Sequence, residues 1–253
     1  MFRFVLLFVF WTTAAFPVRA NESALWGKTP KIAVVIDDLG LNKKATEAVI
    51  RLPAPLTLSF MAYADDLDDV TERAAKAGHE LFLHVPMEPA GSAYPGAGAL
   101  RAAMSDNELR GALDVALSAF SGYVGINNHM GSLLTTDRRA MDVVAGELKP
   151  RNLIFLDSLT SPSSVAATAA AAAGLRYAVR DVFLDHVQKR KEILENLRQL
   201  EHKAERNGFA VGIGHPHPLT IAILKEWIPE ALRRGFDFVS VSAIAHTTNA
   251  VYP

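Results

Sequence analysis

The 253-residue chain contains no cysteine, so neither a disulfide framework nor a thiolate metal site is open to it. It has no excess of either charge. Lys and Arg number 26 against 27 Asp and Glu, a net charge of −1, which removes the electrostatic case for nucleic acid as a partner. No glycine-rich phosphate loop follows the first apolar run: Asp37-Asp38-Leu39-Gly40 stands where a GxGxxG pattern would, and a dinucleotide fold is disfavoured. Internal repeats are missing too. Long apolar runs are confined to the N-terminus, where Phe4 to Phe16, preceded by Arg3, falls short of the ~20 residues of a membrane span. Val18 and Ala20 are small residues placed to precede a signal-peptidase cut before Asn21. Residues 1–20 are therefore expected to be a signal peptide or an uncleaved anchor, residues 21–30 a polar linker, and residues 31–253 a single domain. The protein is then periplasmic or secreted, with no membrane span in the mature form unless the signal is retained.

Half of the chain is hydrophobic, enough for a substantial core. Short apolar runs at 31–36, 56–60, 80–84, 123–127, 153–157, 175–179, 209–213 and 236–241 have the length and the β-branched or aromatic content of strands. Helical segments separate most of them. Over 191–207, Ile193, Leu194, Leu197, Leu200 and Ala204 recur at helical spacing before Gly208. Ser105 with Glu108 forms a capping box, and the alanine-rich 165–173 has high helix propensity. Alternating strands and helices imply a mostly parallel sheet covered on both faces. The expected fold is a deformed or incomplete (β/α) barrel of seven to eight parallel strands.

In such a barrel the C-terminal strand ends share one rim, where active sites sit. That rim is expected to collect Asp37 and Asp38, then His84 followed by Glu88, then Asn127, Asn128 and His129 of NNHMGS, then Asp157, then His215 and His217. Each alone reads as a helix cap or a satisfied polar residue. Together they bring four of the eight histidines to one place, whereas His79, His186, His202 and His246 fall elsewhere and read as structural or solvated. Carboxylates and imidazoles without thiolates suit a divalent ion of the zinc type with an open position for water, whose pKa the ion lowers to ~7. A neighbouring carboxylate accepts that water's proton, and Asp37 and Asp38 can divide the two roles if the turning chain lets both face the site. A phosphoesterase is disfavoured, because Arg180 is the only cation at a strand end.

The series IDDLG, LHVPMEP, NNHMGS, LDS with TSP, RDVFLD and IGHPHP, spanning roughly residues 30 to 245, resembles the divergent polysaccharide deacetylases of bacterial envelopes, distant relatives of the nodulation-factor-type carbohydrate esterases. The resemblance implies a deformed barrel, a divalent metal, usually zinc, and hydrolysis of an N- or O-acetyl group on a glycan. It makes Asp37 the catalytic base, Asp38 and His84 metal ligands, and His215 the general acid. The family's second imidazole ligand is replaced by Glu88, so the third ligand is either Glu88 or, preferred here, His129. Asn127 and Asn128 are then expected to orient substrate or the groups around the ligands, and Asp157 to hold a histidine tautomer or the charge of His215. His217 has no counterpart. The alternative is a non-catalytic envelope protein that binds a glycan or a protein partner through the same cleft. The long loop 85–104 carries Tyr94, either a sugar-stacking residue or ordinary surface. Nothing in the exposed helices points to an oligomeric state.

Overall fold

The structure, a computed structural model, describes residues 29–53 and 55–246, so the expected signal peptide and most of the expected linker lie outside the described residues. Nine strands alternate with eight α-helices in chain order: β1 (Lys31–Leu39), α1 (Lys43–Ile50), β2 (Thr57–Met61), α2 (Leu67–Lys76), β3 (Glu80–Met87), α3 (Asp106–Leu117), β4 (Gly125–Met130), α4 (Arg138–Leu148), β5 (Ile154–Asp157), α5 (Ala166–Ala172), β6 (Tyr177–Val179), β7 (Val182–Phe183), α6 (Arg190–Asn207), β8 (Phe209–Gly214), α7 (Pro218–Arg233), β9 (Asp237–Phe238) and α8 (Val241–Ile244). Every strand pairing is parallel, in the order β6-β5-β4-β3-β2-β1-β8-β7. β1 pairs with β9 at Lys31 and Ile32 and with β2 from Val35 onward. This is a half-barrel with helices around it, the deformed barrel expected. Among the described residues no helix is long and apolar enough to cross a membrane.

Local signals account for the helices. Ser105 and Glu108 make the reciprocal capping box at the start of α3. Gly208 ends α6 at φ 87°, a left-handed position that glycine fills without steric cost. Two strands depart from expectation. Val182–Phe183 is too short to register as an apolar run, yet it pairs with Gly212 and Ile213 of β8. The run 236–241 gives only β9, because Ser240 starts α8, where Val241 and Ile244 enter an apolar cluster with Ala33, Val35, Phe82, Ile154, Leu156, Val211 and Ile213. Those strand residues recur at period two, the mark of one face of a sheet. They line the inside of the barrel, and α8 plugs its N-terminal end.

The larger cluster takes the opposite parity, including Ile32, Val34 and Ile36, and packs under the helices. The inner stripe therefore continues as Ala33, Val35, Asp37 on β1, as Phe82, His84 on β3, as Gly125, Asn127, His129 on β4, and as Val211, Ile213, His215 from β8. Apolar below and polar above, the inner face becomes a site at its upper end. β4 itself runs on through Met130, so NNHM lies within the strand rather than after it.

Gly125 allows β4 this approach. A Cβ there would sit 2.6 Å from Phe82 Cζ and 2.8 Å from the Ile154 carbonyl oxygen. Gly125→Ala is expected to cost about 1–3 kcal/mol through overpacking. Urea unfolding reads this directly, and an unchanged midpoint would show that the inner face is less tightly packed than described.

Candidate active site

Asp38 breaks the alternation that places the other residues. Its parity would turn it away from the barrel, but it adopts φ 56°, and the β1–β2 register shifts between Ile36 and Leu39. Left-handed backbone at a non-glycine residue costs roughly 1–2 kcal/mol. The result is that consecutive carboxylates, Asp37 and Asp38, both reach the mouth. His84 Nε2 lies 3.7 Å from Asp37 Oδ2 and 3.3 Å from Asp38 Oδ1.

Asp38, His84 and His129 converge. Asp38 Oδ1 is 2.9 Å from His129 Nδ1, and His129 Nδ1 is 3.2 Å from His84 Nε2. The 2.9 Å approach lacks hydrogen-bond geometry: Asp38 Oδ1 is buried and has no hydrogen-bond partner. Three donor atoms around a tetrahedral ion with bonds of about 2.0–2.1 Å would lie about 3.3 Å apart. The three separations, 2.9, 3.2 and 3.3 Å, are close to that, and the orphaned carboxylate oxygen is the kind of atom a cation satisfies. The residues present fit a divalent ion.

Asn127, fully buried, organises the cluster. Its Nδ2 donates to Asp37 Oδ1 at 2.8 Å and to Ser158 Oγ at 3.2 Å, so its Oδ1 is the acceptor. Ser59 Oγ donates to that oxygen, and His84 Nδ1 lies 2.8 Å from it. The proton of His84 is therefore on Nδ1, and the Nε2 lone pair faces Asp38 and His129. Burial opposes a charge on His84, but Asp37, Asp38 and Asn127 outweigh it and hold its pKa above the ordinary value. Burial likewise opposes ionisation of Asp38, yet His129 and His84 hold its pKa far below the usual carboxylate range. Burial pushes Asp37 up, against the opposing pull of His84, His215 and Asn127. The pocket is built to hold positive charge beside one anionic carboxylate and one more basic carboxylate.

His215 stands opposite, with Nε2 3.9 Å from Asp38 Oδ2. Its Nδ1 donates to Asp185 Oδ1 at 2.9 Å, its backbone N–H donates to Asp185 Oδ2 at 2.7 Å, and Thr220 Oγ1 donates to the same oxygen at 2.8 Å. Burial would lower the His215 pKa, but the Asp185 hydrogen bond and the charges of Asp37, Asp185 and Asp38 raise it to about 9. Phe183 stacks on the ring at 5.2 Å.

Several expected residues lie elsewhere. Asp157 has the outer parity of β5; it accepts from Leu159 N–H and Ser164 Oγ, burial raises its pKa, and Asp185 rather than Asp157 holds His215. Asn128 also points outward, tying Met130 O to Ser158 N–H. Glu88 turns away from the cluster: its side chain accepts from Ala102 N–H and its carbonyl from Leu133 and Leu134 N–H, which pins the long loop to the segment after β4. His217, exposed at the N-cap of α7, can approach Asp185 and His215, but both Asp185 oxygens are already used. Asp185 is the last residue of RDVFLD, and nothing in the strand-end pattern marks it as the partner of His215.

The chain matches the family described as divergent polysaccharide deacetylase over residues 34–245. It is 33% identical over 198 residues to the uncharacterized protein YibQ of Escherichia coli (strain K12), covering 78% of this chain and 62% of that protein's length. The crystal structure of the uncharacterized protein ATU2773 from Agrobacterium tumefaciens C58 superposes with a TM-score of 0.83 at 30% identity, over 88% of this chain and 95% of that one. A family 4 carbohydrate esterase from Streptomyces lividans, in complex with acetate, shares the fold at a TM-score of 0.52 and 15% identity, over 88% of this chain and 98% of that one.

The Asp185–His215 pair has a defined pH window. His215 is raised from 6.5 to about 9, so its contribution to stability is complete below pH 6.5 and disappears as pH rises through about 9. Asp185 is depressed from 3.8, burial being outweighed by His215 and Thr220, so its contribution is present above 3.8 and disappears as pH falls. The destabilisation caused by Asp185→Asn should be largest between about 3.8 and 6.5, and NMR titration of His215 in that variant should fall toward 6.5. A His215 titration unmoved by the substitution would contradict the pairing.

Proposed function

The chain belongs to the divergent polysaccharide deacetylase family, and from that premise we propose that it is a metal-dependent hydrolase that removes acetyl groups from a glycan outside the cytoplasm. The observation that carries this reading is the convergence of Asp38 Oδ1, His84 Nε2 and His129 Nδ1 around a buried oxygen with no hydrogen-bond partner. Asp38, His84 and His129 would hold the ion, zinc by the chemistry of its carboxylate and imidazole donors. When bound, it supplies Lewis acidity to the acyl carbonyl and to water.

The chain's own groups move the protons. Asp37, more basic than an ordinary carboxylate, takes a proton from the attacking water. The acyl carbon gains the water oxygen and loses its bond to the sugar nitrogen or oxygen. His215, protonated at neutral pH, donates from Nε2 to the departing amine or alkoxide, while Asp185 holds Nδ1 and steadies the ring. Asn127 keeps Asp37 and His84 in fixed relation. Export is part of the proposal and rests on the apolar N-terminal segment and the small residues before Asn21.

Purified protein incubated with zinc and acetylated chitooligosaccharides or peptidoglycan fragments should release acetate. No release from any of these by protein carrying the metal would favour the non-catalytic glycan binder. Asp38→Ala should abolish stoichiometric zinc measured by mass spectrometry. Asp37→Asn should retain zinc and lower acetate release by about 10²–10⁴-fold. Loss of metal in Asp37→Asn, or full metal in Asp38→Ala, would exchange or remove those roles.

A further inference from the structure

One side of the mouth carries a hydroxyl that the proposed chemistry leaves unused. β2 runs parallel to β1, with Phe60 in register with Leu39, and the chain turns at once, Ala64 N–H donating to Met61 O. Tyr63 sits in that turn, on the rim that carries Asp38. The two segments touch: a Cβ at Gly40 would lie 2.7 Å from Ala64 Cβ. From above, the long loop closes on Tyr63. Gly96 adopts φ 102°, and a Cβ there would lie 2.4 Å from Tyr63 Cε1 and 2.8 Å from both Cζ and the hydroxyl oxygen. The loop therefore needs glycine at 96 in order to lie against the hydroxyl end of the ring.

Tyr63 is half-buried, and its hydroxyl makes no hydrogen bond to another described residue; unlike Asp38 Oδ1 it is not sealed off, so solvent or a ligand can reach it. Burial, then the charge of Asp38, then Tyr94 raise the Tyr63 pKa, so the phenol remains a proton donor at neutral pH. Tyr94, on the same loop as Gly96, is 72% exposed, more than any other large hydrophobic residue described. A hydroxyl at the mouth that no protein group occupies is free to donate to an oxygen-bearing ligand bound beside Asp38. A pyranose also offers an apolar face to an exposed aromatic ring.

We propose that Tyr63 and Tyr94 form the glycan-binding edge of the site, Tyr63 donating its hydroxyl to an oxygen of the sugar that bears the reacting acetyl group and Tyr94 covering a face of the adjoining sugar. This rests on the glycan deacetylase reading and narrows it: the substrate is an oligomer recognised over at least two rings, not an isolated acetyl ester.

The test compares wild type, Tyr63→Phe and Tyr94→Ala on acetylated chitopentaose, acetylated chitobiose and p-nitrophenyl acetate, which has no sugar. Tyr63→Phe should raise KM for chitopentaose about tenfold and lower its kcat/KM relative to that of p-nitrophenyl acetate by a similar factor. Tyr94→Ala should cost chitopentaose more than it costs p-nitrophenyl acetate. Equal losses on all substrates, or no loss on the oligosaccharides, would mark the pair as packing and overturn the inference. If wild type releases no acetate, the hydrolytic reading falls and calorimetric binding of chitopentaose decides this one. About tenfold weaker binding by Tyr63→Phe supports it, whereas equal binding, or no binding by wild type, overturns it.

Discussion

In an unbroken strand Asp37 and Asp38 would face opposite sides of the sheet, one into the barrel and one under the helices. The left-handed turn at Asp38 and the register shift around it put both carboxylates at the mouth. Without that turn there is no oxygen to meet His84 Nε2 and His129 Nδ1, and the proposed division between a proton acceptor and a cation-holding group has no structural basis. A local backbone cost of roughly 1–2 kcal/mol is thus the condition for the whole polar arrangement. It is kept in place by the packing of Gly40 against Ala64 and by the parallel partners of β1 on both edges.

The second requirement is that the buried polar groups be satisfied. Asn127 meets it for four partners at once: it donates to Asp37 and Ser158 and accepts from Ser59 and His84. A buried polar group left unpaired costs about 1–3 kcal/mol, so loss of this amide would strand several groups together. Asp185 plays the matching part for His215, with Thr220 and the His215 backbone saturating its second oxygen. Against these filled networks the orphaned Asp38 Oδ1 stands out as the atom that protein groups alone leave incomplete.

Much of this was legible in the chain because a parallel barrel gathers strand ends. Asp37, Asp38, His84, His129 and His215 come together as the strand-end reading expected. Where only parity decides, the strand-end pattern does not distinguish inward from outward residues. Asp157 and Asn128 each lie one position from an inward residue, Ser158 and Asn127 respectively, and so face outward. Strand boundaries read from apolar runs do not fix parity near a polar end. Glu88 stands at the family's ligand position, but the chain continues past His84 through Pro86 and Met87 and turns its carboxylate to the loop. Asp185 carries little sequence signal, because the two-residue strand before it is too short to form an apolar run. Tyr63 carries no sequence signal either, since only the approach of Gly96 and the lack of a partner distinguish it from a packing aromatic.

The proposed chemistry requires one divalent ion held by Asp38, His84 and His129. Anomalous diffraction at the zinc edge, from crystals grown with zinc, tests it most directly. A single strong peak is expected at the mouth, about 2.0–2.2 Å from Asp38 Oδ1, His84 Nε2 and His129 Nδ1. A peak bonded to Glu88, a peak between Asp185, His215 and His217 in its place, or no peak at the mouth would contradict it.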